Sequence, residues 1–267
     1  MSDVMKAIIL GIVEGLTEFL PVSSTGHLIL AGDLLSFEGD AAITFKIVIQ
    51  LGAVMAVLLL YWKRYLEIGT NMVKMDFSKN KGLNVFHMIL AMLPALILYL
   101  LFKDTIKSRL FGPTPVLIGL VVGGLLMIIA ARNRRTATAD TMDGINYKQA
   151  FGIGLFQCLA LWPGFSRSGS TISGGLLLGT SQKAAADFTF LISVPVMFGA
   201  SLLDLYDSRD LLSSDDLVLM LIGFAASFIV AMIAVVTFIK LIKCLRLEWF
   251  ALYRFILATL FFLIVIH

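Results

Sequence analysis

The chain has 267 residues, 59% of them apolar and 15% charged, with a mean hydropathy of +0.94. A soluble domain carries about 25% charged residues, so these figures exclude one. They predict an all-α integral membrane protein, long enough for six to eight membrane segments and without room for a sizeable soluble domain. The net charge is only +3, and the two cysteines, Cys158 and Cys244, form neither a disulfide framework nor a zinc-binding spacing.

Residues 4–20 predict a first apolar helix. Glu14 and Glu18 interrupt it and argue against a cleavable signal. Pro21 is expected to end it. Ser23, Ser24, Thr25 and Gly26 then read as a tight polar loop, with His27 opening the next apolar run. That run, residues 28–36, is too short to cross a bilayer at about 1.5 Å per residue. The pair therefore reads as a re-entrant helix-loop-helix, which membranes allow only where it is buried in protein or lines a cavity. Spans are predicted over 45–62, ending in the interfacial anchor Tyr61-Trp62-Lys63-Arg64, over 85–102 around Pro94, and over 115–131 with Gly119, Gly123 and Gly124. Polar loops are expected at 63–84, at Lys103–Arg109 and over 132–149. A second interrupted unit occupies 150–179. Spans follow at 186–204, 217–239 and 250–266, giving six transmembrane helices plus two re-entrant units.

The two interrupted units are related. A shift of 143 residues superposes Gly11 on Gly154, Ser23 on Ser166, Gly26 on Gly169 and Phe45 on Phe188, with 11 identities in 35 ungapped positions. Apolar composition alone would give roughly three or four. Three spans lie between the units, and an odd number inverts the second relative to the first. The expectation is an inverted repeat within one membrane domain, with halves at about 1–131 and 150–267 joined by a cytoplasmic loop at 132–149. With the 63–84 loop inside, thirteen Lys and Arg fall on the inner side and five on the outer, which puts both termini outside.

The chemistry concentrates in the same two units. Glu14 and Glu18 are four apart, so a helix places both on one face. Ionisable groups at membrane depth are costly and usually mark function. The second unit carries Pro163-Gly-Phe-Ser166-Arg167-Ser168-Gly169-Ser170-Thr171, with Arg167 at the place of Ser24. A guanidinium among hydroxyls and loop amides beside a helix start suits an oxyanion such as phosphate. An ion pair of Arg167 with Glu14 or Glu18 is the structural alternative. Elsewhere His87 reads as interfacial and Gln50 as bonding a loop. Lys46 and Arg254 read as snorkelling, and Pro94 and Pro195 as kinks.

The stretches Glu14-Gly-Leu-Thr-Glu-Phe-Leu-Pro-Val-Ser-Ser-Thr-Gly-His27 and Pro163–Thr171 resemble the two signature motifs of the bacterial undecaprenyl-diphosphate phosphatase, or bacitracin-resistance, family. With the run at 154–162 the resemblance covers essentially the whole chain. It implies removal of the terminal phosphate from undecaprenyl diphosphate, which recycles the lipid carrier for cell-wall synthesis and confers bacitracin resistance. It also implies a multi-pass protein of the bacterial inner membrane, a site open to the periplasmic face, a homodimer, and stimulation by a divalent cation, Mg²⁺ or Ca²⁺. The partners expected are the polyprenyl diphosphate lipid and membrane lipid, with no nucleic acid.

On these residues, Arg167 with Ser166, Ser168 and Thr171 would hold the diphosphate, helped by Ser23, Thr25, Gly26 and Gly169. Glu14 and Glu18 would hold the cation against the phosphates; alternatively one of them, kept neutral by burial, transfers a proton. His27 would activate a nucleophile or protonate the leaving oxygen. Ser24 is the favoured nucleophile, through a phosphoserine, with water and His27 as alternatives. The rival class is a polyprenyl-phosphate or ion carrier, which uses the same architecture. The acid pair, hydroxyls, His and Arg together exceed what binding alone requires.

Overall fold

The computed structural model describes residues 1–37, 39–75, 82–110, 112–133, 136–207, 217–242 and 244–266. Among them the chain is helical and has no strand beyond an isolated bridge between Ala139 and Thr180. Two short helices, α1 (Asp3–Thr17) and α2 (Ser24–Leu34), precede three long ones: α3 (Asp40–Val73), α4 (Val85–Leu110) and α5 (Pro113–Ala131). The order then recurs. Short α6 (Tyr147–Gln157) and α7 (Arg167–Leu177) precede long α8 (Gln182–Asp207), α9 (Leu217–Leu241) and α10 (Leu247–Phe261), the last extended by a π turn over Phe262–Ile266. Among the described residues six helices are long and apolar enough to cross a membrane, as expected, which fits a multi-pass membrane protein. Their outward faces carry large apolar side chains such as Leu101, Ile129, Leu221 and Ile233, which suit lipid.

Packing follows the same rhythm. Helix α1 lies along α9, α6 along α4, α3 along α8, and α5 along α10. Glycines at matching places permit the close approaches. A Cβ at Gly11 would sit 2.5 Å from the carbonyl oxygen of Gly223, and one at its repeat mate Gly154 would sit 2.6 Å from that of Ala91. The largest apolar core gathers Phe19, Phe190, Val235, Phe238 and Ala251 beneath the first turn.

Several boundaries differ from expectation. Helix α2 begins at Ser24, so Ser24 and Thr25 form its first turn instead of a loop. The reason is local: the Ser23 side chain accepts the Gly26 amide and caps the helix there. Helix α3 runs eleven residues past Tyr61-Trp62, to Val73, and α4 runs through Lys103–Arg109 to Leu110. In both, the helix continues beyond its apolar stretch into polar sequence. Pro94 and Pro195 lie inside α4 and α8. Lys79, Lys81, Arg134, Arg135, Arg209 and Lys243, six of the charges used to assign orientation, lie outside the described residues, as do Asp210, Asp215 and Asp216 of the acidic loop.

Candidate active site

The site is made of two turns that interrupt the short helices. Helix α1 stops at Thr17 because Pro21, four residues on, has no N–H to give the Thr17 carbonyl. The chain then reverses, and Ser23 takes φ 73° and ψ 94° before α2 starts. In the second unit a 3₁₀ turn over Cys158–Leu161 follows α6, Pro163 and Gly164 complete the reversal, and Ser166 takes φ 72° and ψ 117° before α7 starts. Such values are costly for a residue with a side chain, about 1–3 kcal/mol each. Ser23 and Ser166 are repeat mates, and each turns its hydroxyl onto the amide three residues ahead: Gly26 at 3.4 Å, Gly169 at 3.1 Å. The strain and the cap are one device used twice.

The turns meet across 149 residues of sequence. Arg167 Nη2 donates to Glu18 Oε1 at 2.9 Å, and Ser24 Oγ donates to Glu18 Oε2 at 2.5 Å. Ser168 Oγ donates to the Leu20 carbonyl at 2.9 Å, fastening the second unit to the first turn. The guanidinium lies over the Phe19 ring, 5.7 Å from its centre. The ion pair that is the structural alternative for Arg167 is present, with Glu18 and not Glu14 as the partner. Among the described residues, two buried atoms beside this cluster have no hydrogen-bond partner: Arg167 Nη1, a donor, and Glu14 Oε2, an acceptor. Unmade hydrogen bonds of buried polar groups are expensive, so the open donor and the open acceptor are two places where a ligand could bond.

The remaining predicted residues sort clearly. Ser166 Oγ lies 3.2 Å from Ser168 Oγ, and Gly26 and Gly169 are buried behind their caps. Thr25 sits half-buried in the first turn of α2. Thr171 is fully buried and faces inward: it donates to the Arg167 carbonyl at 2.8 Å and accepts from Thr189 at 2.8 Å. It supports the turn from behind. His27 has both ring nitrogens engaged, Nδ1 with the Ser23 carbonyl at 2.8 Å and Nε2 with the Tyr253 hydroxyl at 2.7 Å. A carbonyl only accepts, so Nδ1 carries the proton and Nε2 presents a lone pair. That lone pair accepts from the Tyr253 hydroxyl, so His27 takes a proton at Nε2 only through Tyr253 and has none to give there. The hydroxyl of Ser24 is held by Glu18.

A divalent cation would meet one open carboxylate oxygen here, on Glu14. Both oxygens of Glu18 are engaged, and among the described residues no group of three or more His, Cys, Asp or Glu assembles. This fits Mg²⁺ as it is commonly held, by one or two carboxylates with the remaining oxygens from phosphate and water.

Two side chains of the site were not anticipated, and one of them overturns an expectation. Arg254 does not snorkel; it is fully buried. It donates to the carbonyls of Leu120 (3.1 Å) and Gly119 (3.0 Å) on α5, and of Phe165 (2.8 Å) and Gly164 (2.9 Å) in the second turn. The turn leaves its carbonyls without helical partners, and a planar fork of five N–H groups satisfies them. Its neighbour Tyr253 is the partner of His27. Gln50 is likewise not a loop partner: it accepts from Ser201 on α8 at 3.3 Å. His87 is buried at the start of α4, its ring 4.1 Å from that of Tyr147.

Residues 7–260 match the profile of a family described as "Bacitracin resistance protein BacA". The chain belongs to this family. Within it the chain is similar to "Undecaprenyl-diphosphatase 1" of Bacillus cereus, 54% identical over 266 residues and all of both chains. Proteins of the same name from Bacillus thuringiensis subsp. konkukian and Bacillus anthracis are each 55% identical over 261 residues, 98% of either chain. These BacA relatives align along both turns and all six long helices, so the Glu18–Ser24–Arg167 cluster lies inside the shared region.

Proposed function

We propose that this protein hydrolyses undecaprenyl diphosphate to undecaprenyl phosphate and inorganic phosphate in the bacterial inner membrane. The observation that carries the reading is the Ser24–Glu18–Arg167 cluster with its open guanidinium nitrogen. It stands beside the printed activity of relatives more than half identical over the whole chain.

Phosphoryl transfer needs charge neutralised on the phosphoryl oxygens and an in-line nucleophile. Arg167 Nη1, with Ser166, Ser168, Gly169 and the residues Ser23–Gly26 at the start of α2, holds the terminal phosphate. Ser24 Oγ attacks its phosphorus and passes its proton to Glu18 Oε2. The Oγ–P bond forms as the bond to the bridging oxygen breaks, and undecaprenyl phosphate leaves with that oxygen. Once protonated, Glu18 no longer neutralises Arg167, whose charge then falls wholly on the phosphoryl group. Water next attacks the phosphoserine, giving its proton to the Tyr253 hydroxyl oxygen as that hydroxyl passes its own to Nε2 of His27. Inorganic phosphate departs, taking the proton back from His27 by the same route, and Ser24 recovers its proton from Glu18. Glu14, whose Oε2 is open, is the place for a Mg²⁺ or Ca²⁺ ion, which when bound would neutralise diphosphate charge; Glu18, with both oxygens engaged, is not.

We read α1–α2 and α6–α7 as re-entrant pairs of an inverted repeat meeting near the bilayer midplane. The 143-residue register, the recurring order of helices and the matched serine caps support this. The charge bias supports a site opening to the outer face, with the polyprenyl chain lying against the lipid-facing helices. A homodimer follows from the family resemblance alone.

The test is phosphate release from the C55 diphosphate by purified protein in detergent, with and without EDTA, beside Arg167→Ala. Metal-dependent release that the variant loses is expected. No release from well-folded wild type would overturn the hydrolase reading and favour a carrier, to be followed as flux in liposomes.

A further inference from the structure

The buried guanidinium of Arg254 has all three nitrogens engaged and no counter-ion. Nε donates to the Leu120 carbonyl, Nη2 to those of Gly119 and Gly164, and Nη1 to that of Phe165, with the Met127 sulfur 3.9 Å from Nη1. These partners supply dipoles but no net charge. Among the described residues no carboxylate pairs with Arg254, whereas Arg167 has Glu18. A charge taken out of water without an opposite charge is costly, and a membrane protein keeps one where function needs it.

Its place supplies the need. A Cβ built at Gly169, in the first turn of α7, would lie 3.2 Å from Arg254 Nη1. Phe165, whose carbonyl the same nitrogen holds, comes two residues before Arg167. The charge therefore stands directly behind the turn to which the terminal phosphate is assigned. Arg167 and Glu18 together carry no net charge, so Arg254 adds what that pair lacks. We propose that Arg254 is the second cation of the diphosphate site, and that the substrate's phosphates are its missing counter-ion. It does not touch them, because its nitrogens are taken; it acts through its field, which a buried site screens poorly. The inference rests on the phosphate position given above.

The test adds a counter-ion and leaves the fork in place. Met127 is fully buried and is changed to Glu, and to Gln as a neutral match, in the full-length protein. A unit charge on the order of 10 Å from the phosphate, at an effective dielectric of about 20, is worth roughly tenfold in affinity. Relative to Met127→Gln, Met127→Glu should therefore weaken binding of inorganic phosphate, read by calorimetric titration, about tenfold. It should lower kcat/KM for the C55 diphosphate by at least as much. If Arg254 were only a structural fork, its hydrogen bonds would be intact in both variants and the two would match; that result overturns the proposal. An independent arm compares Arg254→Lys, which keeps the charge, with Arg254→Gln, which keeps a planar amide with two N–H groups. Phosphate should bind better to the Lys variant even where the Gln variant melts higher. Affinity that simply follows melting temperature, or that favours Gln, overturns the role of the charge. A wild type that binds phosphate with the expected pattern and releases none from the C55 diphosphate would keep this proposal and remove the hydrolase reading.

Discussion

The two interrupted units share a backbone device and divide the chemistry. Both reverse direction after a short helix, both hold a serine at φ near 72°, and both cap the next helix with that serine's hydroxyl. At the equivalent places, however, Glu14 faces Gln157, Glu18 faces Leu161, Ser24 faces Arg167 and His27 faces Ser170. The first unit keeps the acids, the nucleophile candidate and the imidazole. The second keeps the cation. Gln157 is a telling mate, since it preserves the shape of Glu14 without its charge, and it too is buried with a side-chain oxygen that has no partner among the described residues. A repeated scaffold fixes where groups stand, and the side chains then diverge so that opposite charges meet at the seam.

Making the halves alike should therefore destroy the activity, in graded fashion. The largest effect is expected from Arg167→Ser, which copies Ser24 into the second unit. Removing the cation that faces the phosphoryl charge should lower the rate of phosphate release by about 1,000-fold or more, with weaker binding of the diphosphate. Retention of even a tenth of wild-type turnover would place Arg167 outside the reaction. Ser24→Ala follows, with a fall to background if its oxygen forms the phosphoserine. Appreciable turnover, with no ³²P retained on the quenched wild-type protein, would transfer the attack to water. Glu14→Gln copies the mate at 157 and is expected to cost about 100-fold and to shift the divalent-cation titration to higher concentration. Lost rate with an unchanged titration would make Glu14 a proton carrier. The smallest effect concerns the shared device: Ser166→Ala removes the cap yet keeps a side chain at positive φ, and should destabilise by about 1–2 kcal/mol in thermal unfolding. Ser166→Gly should be milder because it relieves the backbone strain. If the two variants melt alike, the strain contributes nothing.

Much of this is legible in the chain itself. Glu14, Glu18, His27 and Arg167 stand out because an apolar background makes each ionisable group conspicuous, and the repeat shows that two such clusters belong together. Sequence spacing does not, by itself, say which carboxylate Arg167 meets. Arg254 misleads for a physical reason: its partners are main-chain carbonyls as far as 135 residues away, and a carbonyl leaves no trace in the sequence. Tyr253 is hidden by the same helix, where a tyrosine looks like an ordinary membrane anchor. The start of α2 is displaced from expectation because Ser and Thr favour loops on average, although here a serine one residue earlier supplies the cap.

The buried fork of Arg254 has a consequence for how the protein is made. Glu14, Glu18, Ser24, His27 and Arg167 have all been synthesised by Thr171, yet the turn bearing Arg167 lacks the Arg254 donors for its carbonyls until α10 arrives roughly eighty residues later. Membrane insertion proceeds from the N-terminus, so the last span acts as a keystone. A nascent or C-terminally clipped chain holds those groups without the fork that fixes the turn, and it is expected to stay inactive until α10 is in place.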